Sequence, residues 1–419
     1  MTIQVLILLA GLLIYAGYGI YGLGWLAAAV LVTYLAGLAL PKHKWLLWPV
    51  IVVNAVLLIT IKLQPVTGFG ILAPFGVSYF TLQMISYLAD VRKEKYPPER
   101  SLLTFALYLT YFPHLVMGPI ESFDHMKQAL AERKITWDGI SSGAVRAIWG
   151  AFKMYAVSAR AAVVVGTISA SLEEYRGAYA LFAMLLYSIE LYADFSGCMD
   201  IVLGVSQMLG IRMSENFNAP YFSQTVAEFW RRWHITLGDW LRNYIYIPLG
   251  GSRRGKVRKV VNLIVTFLVS GLWHGVHYIL WGLFNGILVA TGNFLKTKYK
   301  VLNCAITYLL ISILWSFFIW PDSLTALKSI ASLFTTFNYS ALAADIFSLG
   351  LNMGEWIAFV ISLLLLFIYD LKKESLTDRF YQFAPAVRVA VFGTLTLLVL
   401  VFGMYGIGFE AEQFIYSSF

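Results

Sequence analysis

Charge is what this chain lacks. Only 13% of its 419 residues are Asp, Glu, Lys or Arg, about half of the roughly 25% typical of a soluble domain. That excludes a water-soluble enzyme, a disordered protein and a collagen-like or coiled-coil fibre. Cysteine is equally scarce: Cys198 and Cys304 stand far apart in apolar surroundings, so there is no disulfide framework, and unpaired packing is the expected state. No internal period is visible, and no linker separates domains. Strict apolar alternation over about ten residues is missing too, which excludes a transmembrane β-barrel.

What remains is apolar sequence, 59% hydrophobic and 16% aromatic. A bilayer core about 30 Å thick takes roughly 20 apolar residues per helix. The expected fold is therefore an all-α polytopic membrane protein, a single domain over 1–419, with about 11–12 transmembrane helices plus re-entrant or interfacial ones. Candidate spans lie near 3–20, 23–40, 46–63, 101–118, 141–168, 178–195, 197–211, 260–277, 279–296, 303–320, 354–370 and 386–407. The first charged residue is Lys42, so the N-terminal run lacks the basic region of a signal peptide and is read as a retained span. Residues 66–89, with Pro74 and three glycines, read as broken or re-entrant helix. Residues 330–352, interrupted by Asn338, Tyr339, Ser340 and Asp345, read as a partly interfacial loop.

The net charge of +8 is unevenly spread: eight basic residues and two acids fall in the segment 228–259. Basic loops on a membrane protein mark its cytoplasmic side, so no nucleic-acid partner is expected. By the same rule 92–100, 127–134 and 372–379 face the cytoplasm, and the tail 408–419, with Glu410 and Glu412 and no basic residue, faces outside. An uncharged N-terminus placed outside would put Lys42 and Lys44 outside as well, against the larger clusters.

Three stretches carry polar chemistry. At helical spacing, Phe229, Trp233, Trp240 and Tyr244 share an apolar arc and Arg231, Arg232 and Arg242 a cationic one, as in a basic helix lying in or dipping into the interface. A positive-inside anchor explains the arginines and tryptophans but not His234 between them. In the apolar run 266–286, His274 and His277 stand at i and i+3; ionisable groups at membrane depth mark function by default. Two histidines fall short of the three or four ligands zinc requires, so no metal is expected. In 187–204, Glu190, Asp194 and Asp200 interrupt an apolar run; a structural ion-pair role with the Arg and His residues of 228–259 is favoured over catalysis.

The blocks Gly76–Gln83, Tyr192–Gly197 with Asp200, Glu215–Asn218, Glu228–His234, Tyr246–Gly251 and Gly271–Gly275 occur in an order that resembles the membrane-bound O-acyltransferase family. More narrowly they resemble its bacterial branch of alginate O-acetyltransferase-like and teichoic acid D-alanyl transferase-like proteins. The resemblance implies a ring of spans around a pore-like core thinned in the middle. It also implies that His274 corresponds to the family's membrane histidine and His234 to its second, more variable polar residue. A histidine suits general-base removal of a hydroxyl proton at neutral pH; His274 is assigned that task, with His234 orienting a substrate or polarising a thioester. Arg231, Arg232, Arg242 and Asn243, with Trp230, Trp233 and Trp273, are the candidates to bind the donor or substrate.

The resemblance further implies no tightly bound cofactor and a donor that is acetyl-CoA or an acyl carrier protein thioester. The ending Phe414-Ile-Tyr-Ser-Ser-Phe419 suggests that Tyr416 accepts the acyl group and relays it to an extracytoplasmic acyltransferase partner. The location implied is the bacterial cytoplasmic membrane, with the C-terminus outside. D-alanyl transfer to teichoic acid stays open, as does another class, a proton-coupled transporter or flippase using Glu190, Asp194 and His274. On composition alone the tail is an aromatic interface anchor.

Overall fold

A computed structural model describes residues 2–17, 19–68, 76–115, 117–291, 296–380 and 382–405. Among them there is no β-strand, only one isolated antiparallel bridge between Phe217 and Trp233. Helices α1 (Thr2–Ala16), α2 (Ile20–Ala39) and α3 (Leu47–Thr67) come first. Leu31, Val32 and Leu35 of α2 and Val52, Val53 and Val56 of α3 are exposed, an apolar surface suited to lipid. Helix α4 (Val77–Arg92) is buried along nearly its whole length. It fits the expectation for 66–89 only in being enclosed, since from Val77 on it is unbroken; 69–75 lie outside the described residues.

The expected span 101–118 is instead two short helices, α5 (Leu102–Thr110) and α6 (Phe112–Leu115). Pro113 lacks the backbone donor that a continuous helix would need there, and Tyr111 between them is extended. After α7 (Phe123–Glu132) comes α8 (Trp137–Phe152), which runs through a π-helical turn (Lys153–Ser158) into α9 (Ala159–Ser169). The expected spans 178–195 and 197–211 fuse into the single helix α10 (Ala178–Met208), because the polar residues between them pack inward and nothing there breaks the backbone.

Short helices α11 (Val226–Arg232) and α12 (Ile235–Leu241) precede α13 (Lys256–His274) and α14 (Ile279–Thr291). Helices α15 (Lys300–Leu314), α16 (Ser316–Ile319), α17 (Ser323–Thr335) and α18 (Tyr339–Asp345) follow, then α19 (Met353–Phe380) and α20 (Pro385–Phe402). Much of 330–352 is thus helical rather than a loop. Asp322 starts α17 as an N-cap, its carboxylate accepting the Leu324 and Thr325 N–H groups at 2.8 and 3.0 Å. Among the described residues eight helices are long and apolar enough to cross a bilayer, with two shorter apolar ones at Ile3–Ala16 and Val276–Thr291. The fusion at α10 and the break at Tyr111 account for much of the difference from the 11–12 expected.

The basic clusters gather on one face. Lys44 bonds Glu94 at 2.6 Å, Lys95 bonds Asp90 and Asp124 at 3.2 Å, and Lys127 bonds Glu99 at 2.6 Å. Arg92 lies over the Trp48 ring at 5.5 Å and Lys93 over the Tyr244 ring at 5.2 Å. Lys44 therefore shares a face with 92–100, which corrects the placement that followed from an outside N-terminus.

Helix α8 packs closely against α10. A Cβ on Gly143 would stand 2.5 Å from the Gly204 carbonyl oxygen, and one on Gly204 would stand 2.5 Å from that of Gly143. One turn pair further along, a Cβ on Gly197 would meet the Gly150 oxygen at 2.7 Å, and one on Gly150 would meet the Gly197 oxygen. Small residues seven apart on both helices let backbone touch backbone, the usual route to close packing in membranes. Gly150→Val should therefore force the helices apart at a cost of about 1–3 kcal/mol, read as a lower melting temperature of the detergent-solubilised protein. The same change at Gly393, which has nothing within 4 Å, should leave it unchanged.

Candidate functional site

The site begins with a helix that stops early. Thr225 caps α11, its hydroxyl accepting the Glu228 N–H at 3.1 Å, while Glu228 reaches back to the Gln224 N–H at 3.0 Å. This is the reciprocal arrangement of a capping box displaced by one residue. The helix ends at Arg232 because 216–218 docks against it: the Asn218 N–H donates to the Arg232 carbonyl at 2.9 Å and the Ile235 N–H to the Asn216 carbonyl at 3.0 Å. His234 is left at φ +48°, a left-handed conformation that costs a non-glycine residue on the order of 1–3 kcal/mol. The continuous helix with an apolar and a cationic arc does not form; α12 starts afresh at Ile235.

One amide sets the state of His234. The Asn216 Oδ1 accepts the Thr236 N–H at 3.1 Å and the Thr236 hydroxyl at 3.0 Å, and the His234 Nδ1 lies 3.2 Å from it. A backbone N–H can only donate, so this atom of Asn216 must be its oxygen. His234 Nδ1 must then carry the proton, and a neutral ring keeps its lone pair on Nε2. That Nε2 is buried without a hydrogen-bond partner among the described residues. The Thr236 hydroxyl in turn accepts the Ile120 N–H at 3.0 Å, tying the site to the loop after α6.

His274 is the last residue of α13, and the chain turns there through Gly275 at φ +150°. It is buried within an aromatic cage, with ring centroids 4.7 Å from Trp273, 5.4 Å from Trp281, 5.7 Å from Phe318 and 6.3 Å from Tyr278. The His234 ring centroid lies 6.4 Å from that of Trp273, so the two imidazoles flank one indole. His277 does not share a helical face with His274, because α13 has already ended; it sits in a 3-10 turn, Val276–Tyr278. Among the described residues no group of three or more His, Cys, Asp or Glu could hold a metal.

The other candidates divide. Arg231, Arg242 and Asn243 are exposed, while Arg232 pairs with Glu228 at 2.6 Å. Trp233 is buried against Phe229 and Trp315, and the Trp230 indole donates to Asn285 at 3.0 Å. Both belong to the aromatic core beneath the site rather than to an open binding surface. Trp273, half-buried, donates to the Ser78 carbonyl at 3.4 Å. Tyr416 lies outside the described residues.

Of the three intramembrane acids, Asp200 has partners other than those expected. It takes Arg146 at 2.9 Å and Lys153 at 2.7 Å, the one from α8 and the other from the π-helical turn after it rather than from 228–259. Arg146 also forks onto Glu215 with two bonds of 2.7 Å, and Lys153 donates to Ser196 at 2.8 Å. Glu190 and Asp194 are buried on the same helix at 4% and 7% exposure. Arg146, Lys153, Asp200 and Glu215 line a small polar cavity that also reaches Asn216, so the charge network backs the amide that orients His234. Asn216, Thr236, Arg146 and Lys153 are the residues that sequence reading passed over. Lys153 had a signal, a lone lysine inside the apolar run 141–168, whereas the role of Asn216 comes from contacts that spacing does not reveal.

Removing one member of a buried ion pair strands the other. Asp200→Ala should cost about 3–5 kcal/mol, measured as a large drop in melting temperature in detergent. Asn216→Ala should cost less, about 1–3 kcal/mol for the donors left unmade.

The comparisons agree with this architecture. The family described as MBOAT, membrane-bound O-acyltransferase, matches residues 12–321. A probable alginate O-acetylase, AlgI, of Pseudomonas fluorescens is 36% identical over 331 residues, covering 75% of this chain and 67% of its own. The probable AlgI of Azotobacter vinelandii is 30% identical over 436 residues, covering 96% and 79%. A teichoic acid D-alanyltransferase of Streptococcus thermophilus is 26% identical over 279 residues, covering 62% and 67%. With the ordered motifs, the intramembrane histidines and the multi-span helical fold all in place, the chain belongs to the membrane-bound O-acyltransferase family and is a multi-pass membrane acyltransferase.

Proposed function

We propose that this enzyme carries an acyl group, acetyl in preference to D-alanyl, from a cytoplasmic thioester across the membrane toward a cell-envelope polysaccharide. The observation that carries the reading is the pair of imidazoles on the Trp273 indole, His234 from the basic segment and His274 from the far end of α13. His274 is 18 residues along α13 from Lys256, about 27 Å at 1.5 Å per residue. The preference for acetyl follows the relatives: those named alginate O-acetylase share 30–38% identity, and the D-alanyltransferases 26–28%.

In this mechanism the acceptor hydroxyl gives its proton to His274 as its oxygen attacks the thioester carbonyl. The tetrahedral oxyanion then collapses, the carbon–sulfur bond breaks, and the proton passes to the departing sulfur. His234, with its Nε2 lone pair facing inward, orients the acceptor or receives a hydrogen bond from it. The basic face, including Arg242, Arg253 and Arg254, meets the phosphates of coenzyme A or an acidic carrier protein. That face is the cytoplasmic one by the positive-inside rule, and the location is the bacterial cytoplasmic membrane.

The exit lies at the other end. Arg388 near the start of α20 bonds Asp138 at the start of α8, close in sequence to the basic cluster 127–134. At the far end of α20 the Met404 N–H donates to the Tyr155 carbonyl at 2.9 Å. A helix running in that direction supports an extracytoplasmic tail, from which Tyr416 would accept the acyl group on its phenolic oxygen. An extracytoplasmic partner acyltransferase would take it from there.

In proteoliposomes supplied with acetyl-CoA, His274→Ala should lower acetyl transfer by about 10²–10⁴-fold. Mass spectrometry of the C-terminal peptide should find an acetyl adduct on Tyr416 that Tyr416→Phe abolishes. An active wild-type enzyme with no adduct, and full polymer acetylation by Tyr416→Phe in cells, would sink the relay while leaving the acyltransferase in place.

A further inference from the structure

Helix α3 carries one ionisable residue, Lys62, in a span that is otherwise apolar and mostly open to lipid. A cation inside a membrane span is costly and faces protein or a wet cavity when it is retained. Here it stands at the end of the span away from Lys44, where the positive-inside bias would not place one. It is 18 residues beyond Lys44, as His274 is 18 residues beyond Lys256. Both helices start from the same basic face: Trp48 of α3 meets Arg92, Lys93 meets Tyr244, and Asn262 of α13 donates to the Gly251 carbonyl at 2.9 Å. Along its own helix His274 is therefore about 27 Å from that face and Lys62, 15 residues beyond Leu47, about 22 Å, so both lie deep on the side away from it.

The two helices also pack together. Lys62 is half-buried and within electrostatic reach of the His274 imidazole.

We propose that Lys62 is a functional residue of the acyl-transfer centre, the cation that balances the negative charge formed when the acceptor oxygen attacks the acyl carbonyl beside His274. The attack forms the new carbon–oxygen bond and places a full negative charge on the former carbonyl oxygen. That charge persists until the carbon–sulfur bond breaks, and the acceptor's proton travels from His274 to the leaving sulfur. No further reactant is needed. In a low-dielectric site a fixed cation near the oxyanion is worth far more than it would be in water. The proposal rests on the acyl-transfer reading above and adds a residue to it.

The experiment compares wild type, Lys62→Met, Lys62→Arg and His274→Ala in proteoliposomes, with acetyl-CoA as the probe donor. Steady-state rates and the melting temperature of each protein are measured together. Lys62→Met keeps the length and apolar stem of the side chain and relieves a buried charge, so its melting temperature should be unchanged or higher. Its kcat should fall by about 10²–10³-fold with the KM for acetyl-CoA unchanged, and Lys62→Arg should restore a substantial part of the loss. A Lys62→Met enzyme with wild-type kcat, or one altered only in KM, would overturn the assignment and leave Lys62 an interface anchor. A wild-type enzyme without His274-dependent acetyl transfer would overturn the underlying reading instead, so the two failures are told apart.

Discussion

Where α8 crosses α10, backbone meets backbone, and most of the site hangs on that contact. Gly143 and Gly150 on one helix face Gly204 and Gly197 on the other, with no side chain between them. Each pair lies seven residues apart, so the two contacts fall on one stripe of each helix. Lipid cannot drive helices together as water does, and packing at this range has to supply the attraction. The close approach brings Arg146 and Lys153 onto Asp200, while on another side of α10 Phe195 stands 4.9 Å from the His234 ring. A wider crossing would leave Arg146 and Lys153 apart from Asp200.

The charges at that crossing make sense only as a set. An isolated lysine at the depth of Lys153 would cost several kcal/mol. With Asp200, Ser196 and the Tyr192 ring around it, the cost is largely met. The same network holds Glu215 through Arg146, and Glu215 is the residue before Asn216. The polar cavity and the orientation of His234 are thus two ends of one arrangement. Fully satisfied buried networks rigidify what they touch, which suits a side chain whose lone pair must point one way.

Much of this was legible in the sequence, and the rest was hidden for identifiable reasons. Scarce charge and long apolar runs signal a membrane protein because each residue contributes independently to that signal. The basic segment and the pair of intramembrane histidines stand out for the same reason. The break at His234 does not, since every residue from Val226 to Leu241 tolerates a helix; only the docking of 216–218, nearly twenty residues away, pulls the backbone out of one. Asp200 was recognisable as a residue in need of a partner, but spacing could not say that the partners sit on α8 and the π-helical turn after it rather than in 228–259. Lys44 looked misplaced until its bond to Glu94 put it on the shared basic face.

The strain at His234 and the bonds of Asn216 belong together. A left-handed histidine costs on the order of 1–3 kcal/mol, and a single good hydrogen bond returns about 1 kcal/mol net. Asn216 makes three such contacts with His234 and Thr236, and its backbone carbonyl takes the Ile235 N–H as well. Together these are enough to hold the conformation. What the conformation achieves is a second imidazole facing the indole that His274 faces, delivered by a chain entering from α11 rather than by the helix that carries His274. A continuous helix from Val226 to Tyr246 would be cheaper, but it would lack the turn at which Asn216 meets both His234 and Thr236. The chain gives up local helical preference at one residue and gains convergence at the site, and local rules are expected to be broken where function is concentrated.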